Sequence, residues 1–155
     1  DGEGCTRKAV NGDLHNVGEE DVESILEKVD RVHGNVREYC FANSLDAVLL
    51  AVKNMCERHG NSHQVSMDSD GLYLVTGGAA YFYPPYRLSV VDDVGAGDIL
   101  LAATSYYLAR GFDVLDATRY GVAAALLKIS SNSLQWFNES RVAEKARSIG
   151  CIRVS

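Results

Sequence analysis

The segment Asp92-Asp93-Val94-Gly95-Ala96-Gly97-Asp98 constrains this chain more than any other. A short apolar run, Leu88-Ser89-Val90-Val91, precedes it and predicts a strand. The small and apolar residues 99–108 that follow predict a helix buried almost all round. Two glycines flanking Ala96 let the backbone turn sharply and aim successive N–H groups at one point. The helix start behind them adds unpaired donors and a partial positive charge, which makes the turn a pocket for an anion. Asp98 projects at its rim, where a carboxylate can take a proton from an attacking hydroxyl. A ligand-free glycine turn needs one capping aspartate, and three stand here.

The rest of the chain alternates strand and helix signals. Val22, Ile25, Leu26 and Val29 share one helical face, behind acidic residues suited to a first turn. A strand near Arg31-Val32-His33 ends at Gly34, and Asn43 or Ser44 caps a helix that stops near Gly60. Residues 63–66 and 71–76 read as strands, and Gly77-Gly78 predicts a hairpin into 80–83, where Pro84-Pro85 ends regular pairing. Asp113 opens a helix from Val114 to about Ile129, and a polar helix covers 139–147. Asn11-Gly12 is a candidate tight turn in a polar N-terminal stretch. Such alternation favours an α/β fold, a parallel or mixed sheet with helices on both faces.

The 155 residues, 46% of them hydrophobic, suit one core rather than two. With 21 Asp+Glu against 15 Lys+Arg, the net charge of −6 disfavours nucleic acid and anionic membranes as partners. It leaves phosphate ligands open, since backbone N–H groups and metal ions hold phosphate without a basic patch. Cys5, Cys40, Cys56 and Cys151 show neither zinc spacing nor a disulfide framework, so reduced thiols and a cytoplasmic location are expected. No run approaches the length of a membrane span. His59 and His63 stand four apart, but Gly60 and Asn61 break the helix that a shared metal would require. Trp136-Phe137 and the tyrosines around 73–86 read first as loop anchors and strand packing.

The motif at 92–98 resembles the D-[TS]-x-G-A-G-D signature of the ribokinase-like (phosphofructokinase-B) carbohydrate kinase family, with Asp93 in place of the usual Thr or Ser. Asn35-Val36-Arg37-Glu38 is similar to the family's N-x-x-E element, and Ser66-Met67-Asp68-Ser69-Asp70-Gly71 to its [TS]-x-G-x-x-G nucleotide loop, with Asp68 where the first Gly is expected. The segment 120–125 resembles the small-residue stretch beside the adenine. By this resemblance the fold is a three-layer α/β/α sandwich with a mostly parallel sheet and a β-hairpin. Residues 1–155 would form a single partial kinase domain, the C-terminal half, without the N-terminal substrate-binding half and its lid.

The resemblance implies an ATP-dependent phosphotransferase acting on an alcohol of a sugar or nucleoside. Asp98 would be the base, and Gly95, Ala96 and Gly97 the cradle for the transferred phosphoryl group. Ser66, Asp68, Gly71 and Ala124 would lie near the nucleotide, Asn35 and Glu38 near Mg²⁺, and Asp92 beside a monovalent cation such as K⁺. A complementary N-terminal half, or a second copy in a homodimer, is the partner expected besides the small-molecule substrate. The alternative is a non-catalytic nucleotide- or anion-binding module derived from such a kinase.

Overall fold

The computed structural model describes residues 7–10, 13–16, 24–39, 44–131 and 137–154. Strands β1 (Arg7–Val10) and β2 (Asp13–Asn16) form an antiparallel ribbon with Val10 opposite Asp13. The Asn11-Gly12 turn expected there, the start of the helix read from Val22, and Trp136 lie outside the described residues. Residues 24–26 make one helical turn and bury Leu26, whose carbonyl accepts a hydrogen bond from Asn61 Nδ2 at 3.3 Å.

The main sheet has five strands in the order β3 (Arg31–Asn35), β4 (Ser62–Ser66), β5 (Leu72–Thr76), β6 (Ala79–Tyr83) and β7 (Ile152–Arg153). β3 and β4 run parallel, from Arg31 opposite Ser62 to Asn35 opposite Ser66. Their crossover carries α1 (Leu45–His59), which Ser44 Oγ caps by accepting the Ala47 N–H and which Gly60 ends in the left-handed region at φ 70°. The other neighbours in this sheet are antiparallel, so the expectation of a mostly parallel sheet is corrected. Residues 67–71 and 77–78 are too few for a crossover, which takes about a dozen. Gly77 and Gly78 instead adopt φ 53° and 74°, the two positive values of a type I′ hairpin.

Strand alternation sorts the core into two layers. Val65, Val75 and Ala80 face α1 through Val48, Val52 and Cys56. Leu72, Leu74 and Tyr83 face the other way, onto Leu100, Ala103 and Tyr107 of α2 (Ala96–Ala109) and Ala117, Ala123 and Ala124 of α3 (Val114–Ile129). α4 (Glu139–Ala146) adds Val142 and Ala146 to that side. Helices therefore cover both faces of the sheet, the three-layer α/β/α arrangement expected.

The strand expected over Leu88-Ser89-Val90-Val91 does not form. After Pro84-Pro85 the chain runs without a ladder partner, and Val90 and Val91 are exposed. The N–H groups of Val91 and Asp92 donate to the Ile129 carbonyl at 2.7 and 3.3 Å, so the end of α3 takes hydrogen bonds that a sheet would otherwise supply.

Two buried features have measurable consequences. Gly121 sits where α3 crosses α2, and a Cβ there would lie 2.2 Å from Thr104 Oγ1 and 2.8 Å from the Leu100 carbonyl oxygen. His63 is buried on β4 with Nδ1 3.3 Å from Tyr39 Oη, and burial pushes its pKa down from 6.5 to about 4, with the nearby His59 acting in the same direction.

In an exposed helix, replacing glycine by alanine is worth about 1 kcal/mol of stabilisation. Here Gly121→Ala is expected to destabilise by about 1–3 kcal/mol, because the rigid Leu100 carbonyl must move, and urea denaturation reads this directly. The unfolded His63 takes its proton near pH 6.5 and the folded one only near 4. Stability is therefore intact above about pH 6.5 and falls as the pH drops towards 4, by about 1.4 kcal/mol per unit from this group. A His63 ring resonance that titrates near 6.5 in the folded protein would contradict that account.

Candidate active site

β3 and β4 are parallel and end side by side, at Asn35 and Ser66. Ligands bind at the carboxyl ends of such strands because the connecting loops converge there. A cleft of about 1330 Å³ opens at this place, with the start of α2 along one side and one face of α3 along another.

The turn into α2 is held from both ends. Val94 N–H donates to Asp92 Oδ1 at 3.1 Å, and Ala96 N–H to the Asp93 carbonyl at 3.0 Å. Gly95 adopts φ 76°, which glycine takes without steric cost. The amides of Gly95, Gly97 and Asp98 have no acceptor among the described residues, whereas that of Ala96 is spent on Asp93. The uncommitted donors of this turn are thus the glycine amides and the Asp98 N–H, with Ala96 as a spacer. Gly97 lies directly on His33, for a Cβ there would come 2.6 Å from the ring carbon Cε1. The Asp98 side chain is exposed at the cleft and makes no hydrogen bond or ion pair among the described residues, while its charge faces His33.

The second loop follows β3. Asn35 Oδ1 accepts from Arg37 N–H at 3.0 Å, and Glu38 Oε2 accepts from Asn35 N–H at 2.7 Å, a complete capping box around one 3-10 turn. Asn35 Nδ2 donates to Asp68 Oδ1 at 2.7 Å, and Arg37 Nη2 meets Asp68 Oδ2 at 2.9 Å. Both polar ends of the Asn35 side chain are committed within the chain, so Asn35 orients this loop. Glu38 keeps one oxygen for the cleft.

Asp68, on the loop after β4, has φ 51°, the one positive value among the described non-glycine residues. Aspartate tolerates this region better than most residues, and its carboxylate is compensated by Arg37 rather than left facing an anion. Ser66 lines the cleft and bonds to the Gly34 carbonyl at 3.4 Å. Gly71 is sterically required, with a Cβ placed 2.6 Å from the Tyr83 carbonyl.

Two expected site residues lie elsewhere. Ala124 is fully buried among the core residues of α3, and it is Val122, Ala125, Leu126 and Ile129 that form the apolar wall of the cleft. Those four fall at i, i+3, i+4 and i+7, one helical face. Asp92 does not line the cleft, and its carboxylate is bonded to Lys128 Nζ at 2.8 Å. That bond, with the Val94 N–H, holds the Asp92 carboxyl below the usual carboxylate range.

His33, Arg37 and Lys128 were not singled out from the sequence. Only His33 left a local trace there, two residues before Asn35. Burial lowers the pKa of His33, against the opposing charges of Glu38 and Asp98, which face it from the two loops.

Cleft-facing carboxylate oxygens from Glu38 and Asp98 are donors that suit magnesium. Among the described residues no three acidic, histidine or cysteine side chains close on one point. A magnesium ion that keeps most of its waters and is shared with phosphates needs no such cage. The residues present therefore fit hydrated Mg²⁺ and do not fit a free monovalent ion at Asp92.

Residues 10–141 match the model of the pfkB family of carbohydrate kinases. The chain belongs to that family. It is 37% identical over 60 residues to an ATP-dependent 6-phosphofructokinase isozyme 2 of Mycobacterium tuberculosis, covering 39% of this chain and 18% of that protein. It is 28% identical over 86 residues to a ribokinase of Lactococcus lactis, covering 56% and 29%. The solved phosphofructokinase-2 of Escherichia coli, in complex with substrates and products, superposes with a TM-score of 0.70 at 19% identity, over 83% of this chain and 44% of that one. A second structure of that enzyme holds potassium. The chain thus spans under half the length of these relatives, and the likeness to solved structures establishes the ribokinase-like fold.

Gly97→Ala tests the close contact beneath the turn. It is expected to destabilise by about 1–3 kcal/mol and to shift the His33 ring resonances, since either the imidazole or the α2 start must yield. Unchanged stability together with unchanged His33 signals would show that the two do not touch in solution.

Proposed function

We propose that this chain carries the nucleotide-binding and phosphoryl-transfer site of a sugar kinase, one that moves the γ-phosphoryl group of ATP to an alcohol of a sugar or nucleoside. The observation that carries this reading is the pairing of an unpartnered carboxylate, Asp98, with uncommitted amides at Gly95 and Gly97 on one helix start. Family membership gives the reaction class, and the likeness to an ATP-dependent 6-phosphofructokinase and a ribokinase supports ATP and a sugar as substrates.

In this reading Asp98 accepts the proton of the attacking hydroxyl. The amides of Gly95, Gly97 and Asp98 donate to phosphoryl oxygens, where preorganised dipoles stabilise developing charge without rearranging. Bound magnesium supplies charge neutralisation between the phosphates. Glu38 would hold magnesium through its water shell, with Asn35 fixing the loop that presents it. The apolar face of Val122, Ala125, Leu126 and Ile129 offers a wall for a flat base, and Ser66 and Gly71 line the same cleft. Arg37 balances the Asp68 carboxylate, so an aspartate at this glycine position does not repel the phosphates.

Nothing in the described cleft selects among acceptor sugars. The acceptor site would come from a complementary N-terminal portion or from a second copy. Among the described residues no helix is long and apolar enough to cross a membrane.

Two measurements decide it. Calorimetry with Mg·ADP should show binding, and a coupled assay over a panel of sugars and sugar phosphates, run with the acceptor-binding portion present, should show turnover. Asp98→Asn, nearly isosteric and still able to sit at a helix start, should leave Mg·ADP affinity close to wild type and lower kcat by about 10²–10⁴. Rapid turnover by that variant would remove the general-base role. Binding without turnover on any acceptor would favour a nucleotide-binding module.

A further inference from the structure

The Lys128 side chain is only 15% exposed, and its ammonium is surrounded by oxygen. Nζ donates to Asp92 Oδ2 at 2.8 Å, to the Asp92 carbonyl at 3.1 Å and to the Val94 carbonyl. These three acceptors match the three N–H donors of an ammonium group. Two are main-chain carbonyls of an irregular segment and the third is a carboxylate, a set of hard oxygens such as cations take. The same segment is tied to the adjoining residue of α3 by the Val91 and Asp92 amides, both of which donate to the Ile129 carbonyl. Residues 91–94 lead directly into Gly95, so whatever fixes them sets the start of α2.

We propose that Lys128 is a tethered monovalent cation: its ammonium occupies the place at Asp92 and Val94 that a K⁺ ion would fill, and it positions the Gly95–Asp98 turn without any added ion. An ordinary helix-terminal lysine would lie along the surface and pair with a carboxylate alone, an interaction screened by water and of little consequence. Lys128 is instead mostly buried and reaches two carbonyls outside its own helix. The role of the turn in phosphate binding rests on the reading above, whereas the cation substitution itself does not.

The test uses melting temperature without nucleotide, in KCl, NaCl and tetramethylammonium chloride at equal ionic strength, followed by Mg·ADP calorimetry in the same salts. Wild-type protein is expected to melt at the same temperature in all three and to bind Mg·ADP with the same affinity. Lys128→Ala should melt about 4 °C or more below wild type in tetramethylammonium and recover part of the loss in KCl or on addition of methylammonium, which fits the vacated space. Lys128→Met, which fills that space without a charge, should melt low and recover in neither. A wild-type protein stabilised by K⁺ over tetramethylammonium overturns the proposal without recourse to any variant. So does a Lys128→Ala protein that melts like wild type, or one that melts low and responds to no small cation. If Mg·ADP fails to bind at all, the kinase reading falls while the melting comparison still decides the cation question.

Discussion

The side-chain amide of Gln64, in the interior of β4, donates to Thr104 Oγ1 at 2.9 Å and to Thr118 Oγ1 at 3.2 Å. All three residues are buried, so leaving any of these groups unpaired would cost more than the bonds return in net stability. Helices α2 and α3 are thereby fixed to one point of the sheet and to each other, and Gly121 lets them approach at that level. The site depends on this junction. The start of α2 carries the glycine turn, α3 supplies the apolar wall and Lys128, and β4 ends in the loop bearing Asp68. Three elements far apart in sequence meet the cleft from positions that one buried amide helps to set.

Charge compensation gives the cleft its character. The chain is acidic overall; Asp68, Asp70, Asp93 and Asp98 line the cleft, and Asp92 stands beside its glycine turn. Two of them are matched by cations of the chain itself, Asp68 by Arg37 and Asp92 by Lys128. Asp98 is left without such a partner, the freedom that the proposed proton acceptor requires. The remaining attraction for an anion comes from oriented backbone amides, which carry no net charge and so leave the overall acidity of the protein unchanged.

Local signals account for what the sequence disclosed. The Asp113 cap and Gly60 stop placed two helix ends correctly, the Gly77-Gly78 pair announced its hairpin, and the glycine turn at 95–97 announced the start of α2, because each is decided within a few residues. The errors share a remote cause. Val91 was read as strand because its hydrophobicity was visible and its acceptor, the Ile129 carbonyl, was not. A helix of small residues such as α3 carries little contrast between its faces, so its cleft-facing side emerges only from packing. Strand β7 is two residues long and has no period to detect. The partners of Asp68 and Asp92 stand more than thirty positions away in sequence, and no spacing rule connects them.

The pairing of β7 with β6 also bears on the order in which this protein can assemble. Tyr81 lies opposite Arg153 and Phe82 opposite Ile152, and the Val154 N–H donates to the Ala80 carbonyl. Every residue of the α2–α4 layer falls between those partners in sequence. The hairpin β5–β6 can form as soon as it leaves the ribosome, but the strand beside it follows the whole helical layer in sequence. Until then β6 has an open edge and the helical layer is held by packing alone, so sheet completion depends on closing one long loop, a slow and entropically costly event. The nascent chain therefore carries a finished glycine turn on an unfinished sheet, and β7 acts as the clasp.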